Sequence, residues 1–157
     1  LEKGSIDATE WVGPYDDMKL GFHKIAKHYY YPGWWEPGPG LSFYVNKSAW
    51  DKLSGTNQEI FTSAAAVASA EMMHKYDAKN PAALAELQKS DVTLHRYPDD
   101  VLKKGATIMQ DMHAEFAAAD PRYAKIYAAW DGYRKQSNAW FATTEFAYAA
   151  SAFGASE

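Results

Sequence analysis

The sequence predicts an α/β chain that is mostly helical, with few short strands and a long C-terminal helix. Three observations carry this. Apolar residues recur at intervals of three and four over Tyr15–Tyr29, Ile60–Met72 and Tyr123–Tyr148. Two short runs, 41–45 and 92–97, are instead rich in the β-branched and aromatic residues that suit strands. Between the first helix and the first strand lies Tyr29-Tyr30-Tyr31-Pro32-Gly33-Trp34-Trp35-Glu36-Pro37-Gly38-Pro39-Gly40, whose three prolines and three glycines forbid a helix.

Taken in order, Leu1 to Ile6 reads as the end of a strand, with Gly4 at a turn. Asp7 or Thr9 caps a short helical turn through Glu10 and Trp11, which Gly13 ends. Pro14 suits a first helical position, and the stripe Tyr15, Met18, Phe22, Ile25 and Tyr29 continues that helix until just before Pro32. Leu41–Val45 is the first clear strand. Asn46 or Lys47 opens a short helix through Trp50 and Leu53, and Thr56 or Asn57 opens the next. Asn80-Pro81 reads as a new cap and first position for a helix through Leu87. Val92–Tyr97 is the second strand, and Pro98 starts a helix that buries Leu102, Met109, Met112 and Phe116. From Asp120-Pro121 nothing interrupts the helical spacing until Phe153, with Gly132 the candidate kink.

At 157 residues the chain has room for one ordinary domain. It is 47% apolar and 15% aromatic, which is globular and rich in rings. A net charge of −4 without a basic stripe argues against nucleic acid as a partner. No cysteine is present, which excludes thiolate metal sites, thiol catalysis and disulfides. No apolar run approaches the roughly 18 residues of a membrane span. The start Leu1-Glu2-Lys3-Gly4 reads as the interior of a longer protein rather than a signal peptide.

Two carboxylates stand out, Glu10 and Glu36. Each lies beside a tryptophan and shortly before a Pro or Gly bend, in aromatic and non-periodic surroundings. Brought together they would repel, and a cation resolves that repulsion. Oxygen ligands without thiols point to a hard ion, Na⁺ or Ca²⁺. The alternatives are a general acid and base, as in glycoside hydrolysis, or two unrelated surface residues. Glu71-Met72-Met73-His74 has the Glu-x-x-His spacing of di-iron bundles, but the second such pair is missing. The five histidines show no ligand spacing, the serines no nucleophile elbow, and the loop prolines remove amides that a phosphate would need.

Gly4-Ser5-Ile6-Asp7-Ala8-Thr9-Glu10-Trp11-Val12-Gly13-Pro14 and Lys27–Gly38, with Phe43–Lys47 and Leu94–Pro98, resemble the substrate-binding proteins of TRAP (tripartite ATP-independent periplasmic) transporters. The branch that binds 2-oxo acids and related carboxylates is the nearest in pattern. The resemblance spans the whole chain but only half of a family member. It implies the C-terminal portion of a two-domain periplasmic-binding-protein fold, with the N-terminal domain absent from this chain. Residues 7–45 would form a cleft wall, 46–119 a helical segment and 120–153 a long C-terminal helix. It also implies that Glu10, the Trp11 carbonyl and Glu36 bind the cation, with Trp11 and Glu36 beside the substrate. The family's substrate-gripping arginine would lie upstream of Leu1, so Arg96, Arg122 and Arg134 are not candidates for it.

The function so implied is capture of a small 2-oxo or 2-hydroxy carboxylate, such as pyruvate or lactate, in the periplasm. Delivery to the TRAP membrane subunits follows, without bond chemistry. A homodimer through the C-terminal helix is a further expectation. The alternatives are a helical interaction module and an enzyme using Glu10 and Glu36 as acid and base.

Overall fold

The computed structural model describes residues 1–154. They form two compact units, Leu1–Tyr97 and a second that begins at Pro98. The first unit holds α1 (Pro14–Leu20), α2 (Phe22–Ile25), β1 (His28–Tyr31), α3 (Lys47–Trp50), α4 (Gly55–Lys89) and β2 (Thr93–Arg96). The second holds α5 (Asp99–Ala119), α6 (Pro121–Thr143) and α7 (Glu145–Phe153). The described residues are thus mostly helical with two short strands, the class expected from the sequence, although only the second strand lies where it was expected.

β1 and β2 pair in parallel, with His28 opposite Thr93 and Tyr31 opposite Arg96. Parallel neighbours need a long crossover, and α4 lies within it. At 35 residues α4 is about 52 Å long. The Ser54 side chain accepts from the Asn57 amide at its start, and the Ser90 hydroxyl donates to the Leu87 carbonyl at its end. Among the described apolar side chains only Leu87 and Val92 are buried, at 1% and 7% exposure.

Several expectations are corrected. The predicted helix from Pro14 to before Pro32 breaks at Gly21, whose φ of 76° is left-handed. Its tail, Tyr29 included, pairs as β1, where aromatic residues favour a pleated surface. Leu1–Ile6 and Leu41–Val45 form no strand, and Glu10-Trp11 no helical turn. Residues 41–45 find no neighbouring strand to complete their backbone hydrogen bonds, and Tyr44 is almost fully exposed.

The helix predicted to restart at Pro81 is part of α4 instead. Pro81 removes one backbone donor, and the Asn80 side chain that would have capped a new helix is engaged elsewhere. Its Oδ1 accepts from the Tyr15 amide at 3.0 Å. The expected uninterrupted helix from 120 to 153 breaks at Thr144, not at Gly132. The Thr143 and Thr144 hydroxyls donate back to the Ala139 and Trp140 carbonyls, a competition that loosens a helix.

In the second unit α5 packs on α6 through aromatic rings. His113 stacks on Tyr127 with centroids 4.5 Å apart, and its Nδ1 pairs with the Tyr123 hydroxyl at 2.5 Å. Asp120 caps α6 by accepting from the Arg122 amide. Trp130, Tyr133, Trp140, Phe141, Phe146 and Tyr148 remain exposed.

Candidate functional site

Glu10 and Trp11 lie on the irregular segment that enters α1, and its first turn is held by three side chains. Gly13, the cap position, offers no side-chain acceptor. Asn80 on α4 takes that role for the Tyr15 amide, one of the orphan donors of a helix start. One turn earlier on α4, the Tyr76 hydroxyl donates to Asp16 Oδ2 at 2.6 Å. From β1 the Tyr29 hydroxyl donates to Asp17 Oδ2, also at 2.6 Å. Asn80→Ala would leave the Tyr15 amide without its partner and destabilise the first unit by about 1 kcal/mol. Urea unfolding should show this as a lower midpoint with an unchanged slope.

Asp17 is itself buried, and its Oδ1 has no hydrogen-bond partner. Burial holds its carboxyl above the usual carboxylate range. The Tyr29 hydrogen bond and the nearby Val12 and Gly13 amides pull the other way, too weakly to cancel it. Burial and the Asp17 contact likewise raise the Tyr29 phenol. A carboxyl raised in the folded state binds more protons there than in the unfolded chain. Its contribution to stability is complete below the ordinary carboxylate pKa and is lost as pH rises through the raised value. Asp17→Asn should therefore melt higher than the wild type at pH 7, and the gap should close towards pH 4. Thermal scans across that range check the sign.

Glu36 lies in the loop that leaves β1, after a cis Tyr31-Pro32 bond. A run of ring contacts connects that loop to the sheet. His28 Nδ1 and His95 Nε2 meet at 2.9 Å across the strands. Tyr30 stacks on His95 at 4.8 Å, Tyr30 meets Tyr97, Tyr97 meets Trp35, and Trp35 meets Trp34 edge-on at 5.4 Å. Alternation along each strand places His28 with Tyr30, and His95 with Tyr97, on one face. The aromatic run is therefore a ladder anchored on the sheet, and Glu36 directly follows one of its members, Trp35, in sequence.

Glu10, Trp11 and Glu36 are all exposed, Trp11 at 57%. Among the described residues neither glutamate takes part in a hydrogen bond or ion pair, with each other or with a cationic side chain. Among the described residues no group of three or more acidic or histidine side chains is gathered to hold a metal. The Trp11 carbonyl accepts no backbone hydrogen bond from a described residue. Two unpartnered carboxylates and an unused carbonyl are an all-oxygen donor set, which fits a hard cation such as Ca²⁺. An open groove of about 530 Å³ adjoins this segment, lined by Val12, Gly13, Tyr76, Asn80 and Leu84 among others. The sequence reading missed Asp17, Tyr29, Tyr76 and Asn80 as the frame of the site. Asp16-Asp17 in a first turn looks like ordinary helix-dipole complementarity, and Asn80-Pro81 looks like a local cap.

Residues 1–120 match the family described as bacterial extracellular solute-binding protein, family 7 (DctP). A monocarboxylate 2-oxoacid-binding periplasmic protein of Nostoc is 44% identical over 148 residues, covering 94% of this chain and 41% of that protein. A solved TRAP transporter solute-binding protein from Bordetella bronchiseptica RB50 is 37% identical with a TM-score of 0.93. It matches 98% of this chain, which covers 46% of it. That protein is a mixed-occupancy dimer, with copurified calcium and picolinate in one active site and the other site apo. The chain spans less than half the length of these relatives. No helix of the described residues is long and apolar enough to cross a membrane. These relatives bind solutes and are not enzymes, which sets aside the acid–base reading of Glu10 and Glu36. The chain belongs to the bacterial extracellular solute-binding protein family 7.

Proposed function

We propose that this chain supplies one side of a carboxylate-binding cleft in a TRAP-type solute-binding protein, with a cation as the bridge to the solute. Glu10, the Trp11 carbonyl and Glu36 hold the cation, and Trp11 and Glu36 border the solute. The solute is a small 2-oxo or 2-hydroxy carboxylate, such as pyruvate or lactate. The protein works in the periplasm and hands its cargo to membrane subunits. The observation that carries this reading is the pair of exposed glutamates without any cationic partner, flanking one packed frame of α1 and β1.

The relatives support it chemically. Picolinate presents a carboxylate oxygen and a ring nitrogen on adjacent carbons, so it closes a five-membered chelate on a metal. A 2-oxo acid does the same with its carboxylate and keto oxygens. The calcium bound to the Bordetella protein favours Ca²⁺ over Na⁺ here. The cation supplies positive charge between protein and solute carboxylates; this chain's residues bind and orient it.

Titration calorimetry of pyruvate and lactate, with calcium and with chelator, tests the reading. Binding should depend on calcium, and equal affinity in chelator would remove the cation from the mechanism. The exposed aromatic residues of α6 and α7 favour a further proposal, that two copies associate through the second unit. Light scattering should then give twice the monomer mass, and Trp140→Glu should abolish it.

A further inference from the structure

Two imidazole nitrogens face each other across the β1–β2 pair. His28 Nδ1 and His95 Nε2 lie 2.9 Å apart, although 67 residues separate them in the chain. Such a contact holds one proton, donated by one nitrogen and accepted by the other. The same spacing suits a metal ion. Imidazole nitrogens bind divalent ions at about 2.0–2.1 Å. Two of them at right angles around one ion therefore lie about 2.9 Å apart, the geometry of tetragonal Cu²⁺ and Ni²⁺. Tetrahedral zinc would spread them to about 3.3 Å.

The fold prepares this pair. Tyr30 stacks on His95 with centroids 4.8 Å apart and ring planes 24° apart, which fixes the orientation of that imidazole. His28 is exposed, with its ring tilted by 46° from that of His95. Histidine χ2 is a broad torsion, so His28 has the freedom to swing its lone pair from its neighbour to an ion. The outer nitrogens, His28 Nε2 and His95 Nδ1, hydrogen-bond to no described residue. They are therefore free to carry the ring protons when the inner pair is ligated. No third histidine or carboxylate joins the two among the described residues, so water takes the other positions around the ion.

We propose that His28 and His95 form a two-imidazole site for a late divalent transition metal, Cu²⁺ foremost. Imidazole suits such ions, and copper binds most tightly among them. On binding, the ion replaces the shared proton, which leaves to solvent. The chemistry differs from that of the all-oxygen cation site proposed above, because calcium takes oxygen ligands; the two proposals stand or fall separately. The ion also staples β1 to β2, which pair through only four residues each. A clip that closes so long a loop restrains the unfolded chain, and an ion that binds only the folded state stabilises it.

Copper titration of the full chain, read by electron paramagnetic resonance, tryptophan fluorescence and thermal melting, tests this. Trp35 meets Tyr97, which meets Tyr30 on His95, so a paramagnetic ion at the pair should quench the tryptophan. The wild type should bind one copper with two imidazole nitrogens in its spectrum, and should melt higher when saturated. His28→Gln and His95→Gln should each weaken binding by more than the roughly tenfold that losing a ligand's supporting group costs, and should leave one nitrogen in the spectrum. His74→Gln, on α4, should bind as the wild type does. Unchanged binding in both pair variants would place the copper on other groups and overturn the proposal. So would a single nitrogen in the wild-type spectrum. If the variants fold poorly, the wild type alone decides: saturating copper that leaves its melting temperature unchanged also overturns the staple.

Discussion

Glu36→Gln should weaken calcium binding by about 100-fold, or ~2.7 kcal/mol, and Glu10→Gln by a similar factor. Hard cations take their affinity from the number of charged oxygens around them, and the proposed site draws only Glu10 and Glu36 as charged side chains from the described residues. The same substitutions should barely touch the fold. Both glutamates are exposed and, among the described residues, without partners, so a change in stability within about 0.5 kcal/mol is expected. Trp34 and Trp35 immediately precede Glu36 in sequence and belong to the ladder, so tryptophan fluorescence provides the binding readout. Unaltered calcium and pyruvate affinities in Glu36→Gln would exclude it from the site. A large fall in melting temperature would instead assign it a structural role.

Leu87→Ala should have the largest effect on stability, about 3 kcal/mol. Leu87 is the one described side chain below 2% exposure, so its removal leaves a cavity as well as losing burial. For a unit of this size that energy corresponds to a fall in melting temperature of roughly 15 °C. Exposed apolar positions of the same helix serve as the comparison. Val67 is 56% exposed, and Val67→Ala should cost under about 0.5 kcal/mol. Equal losses at both positions would mean that α4 is covered in solution by something beyond the described contacts.

The loss expected at Leu87 should also propagate to the site. Leu87 lies two turns beyond Asn80 on α4, and Asn80 and Tyr76 hold the first turn of α1. The frame around Glu10 is therefore only as rigid as the seating of α4. The aromatic ladder that leads towards Glu36 is a separate support, built on the β1–β2 pair.

The sequence by itself determined the local material of this protein. Periodicity sufficed to mark α5, the start of α6 and β2, because each is set by its own spacing, cap and flanking proline. Composition sufficed to exclude thiol chemistry and to mark the Trp34–Gly40 loop as irregular. The Glu-Trp and Trp-Trp-Glu motifs were specific enough to suggest the family, which the comparisons confirm.

Only the tertiary structure decided where continuous segments break and where broken ones run on. Tyr29 fits a helical stripe and a strand equally well; pairing with Leu94 selects the strand. Asn80-Pro81 is a helix start by local rules, yet α4 passes through it because Asn80 serves the Tyr15 amide, 65 residues away. Leu41–Val45 has strand composition but no partner strand. Asp17 reads as a solvated first-turn acid until Tyr29 and the fold around it bury its carboxyl. Propensity is a property of neighbouring residues, worth tenths of a kcal/mol at each position. Burial and long-range hydrogen bonds are worth a kcal/mol or more, and where the two disagree the contacts prevail.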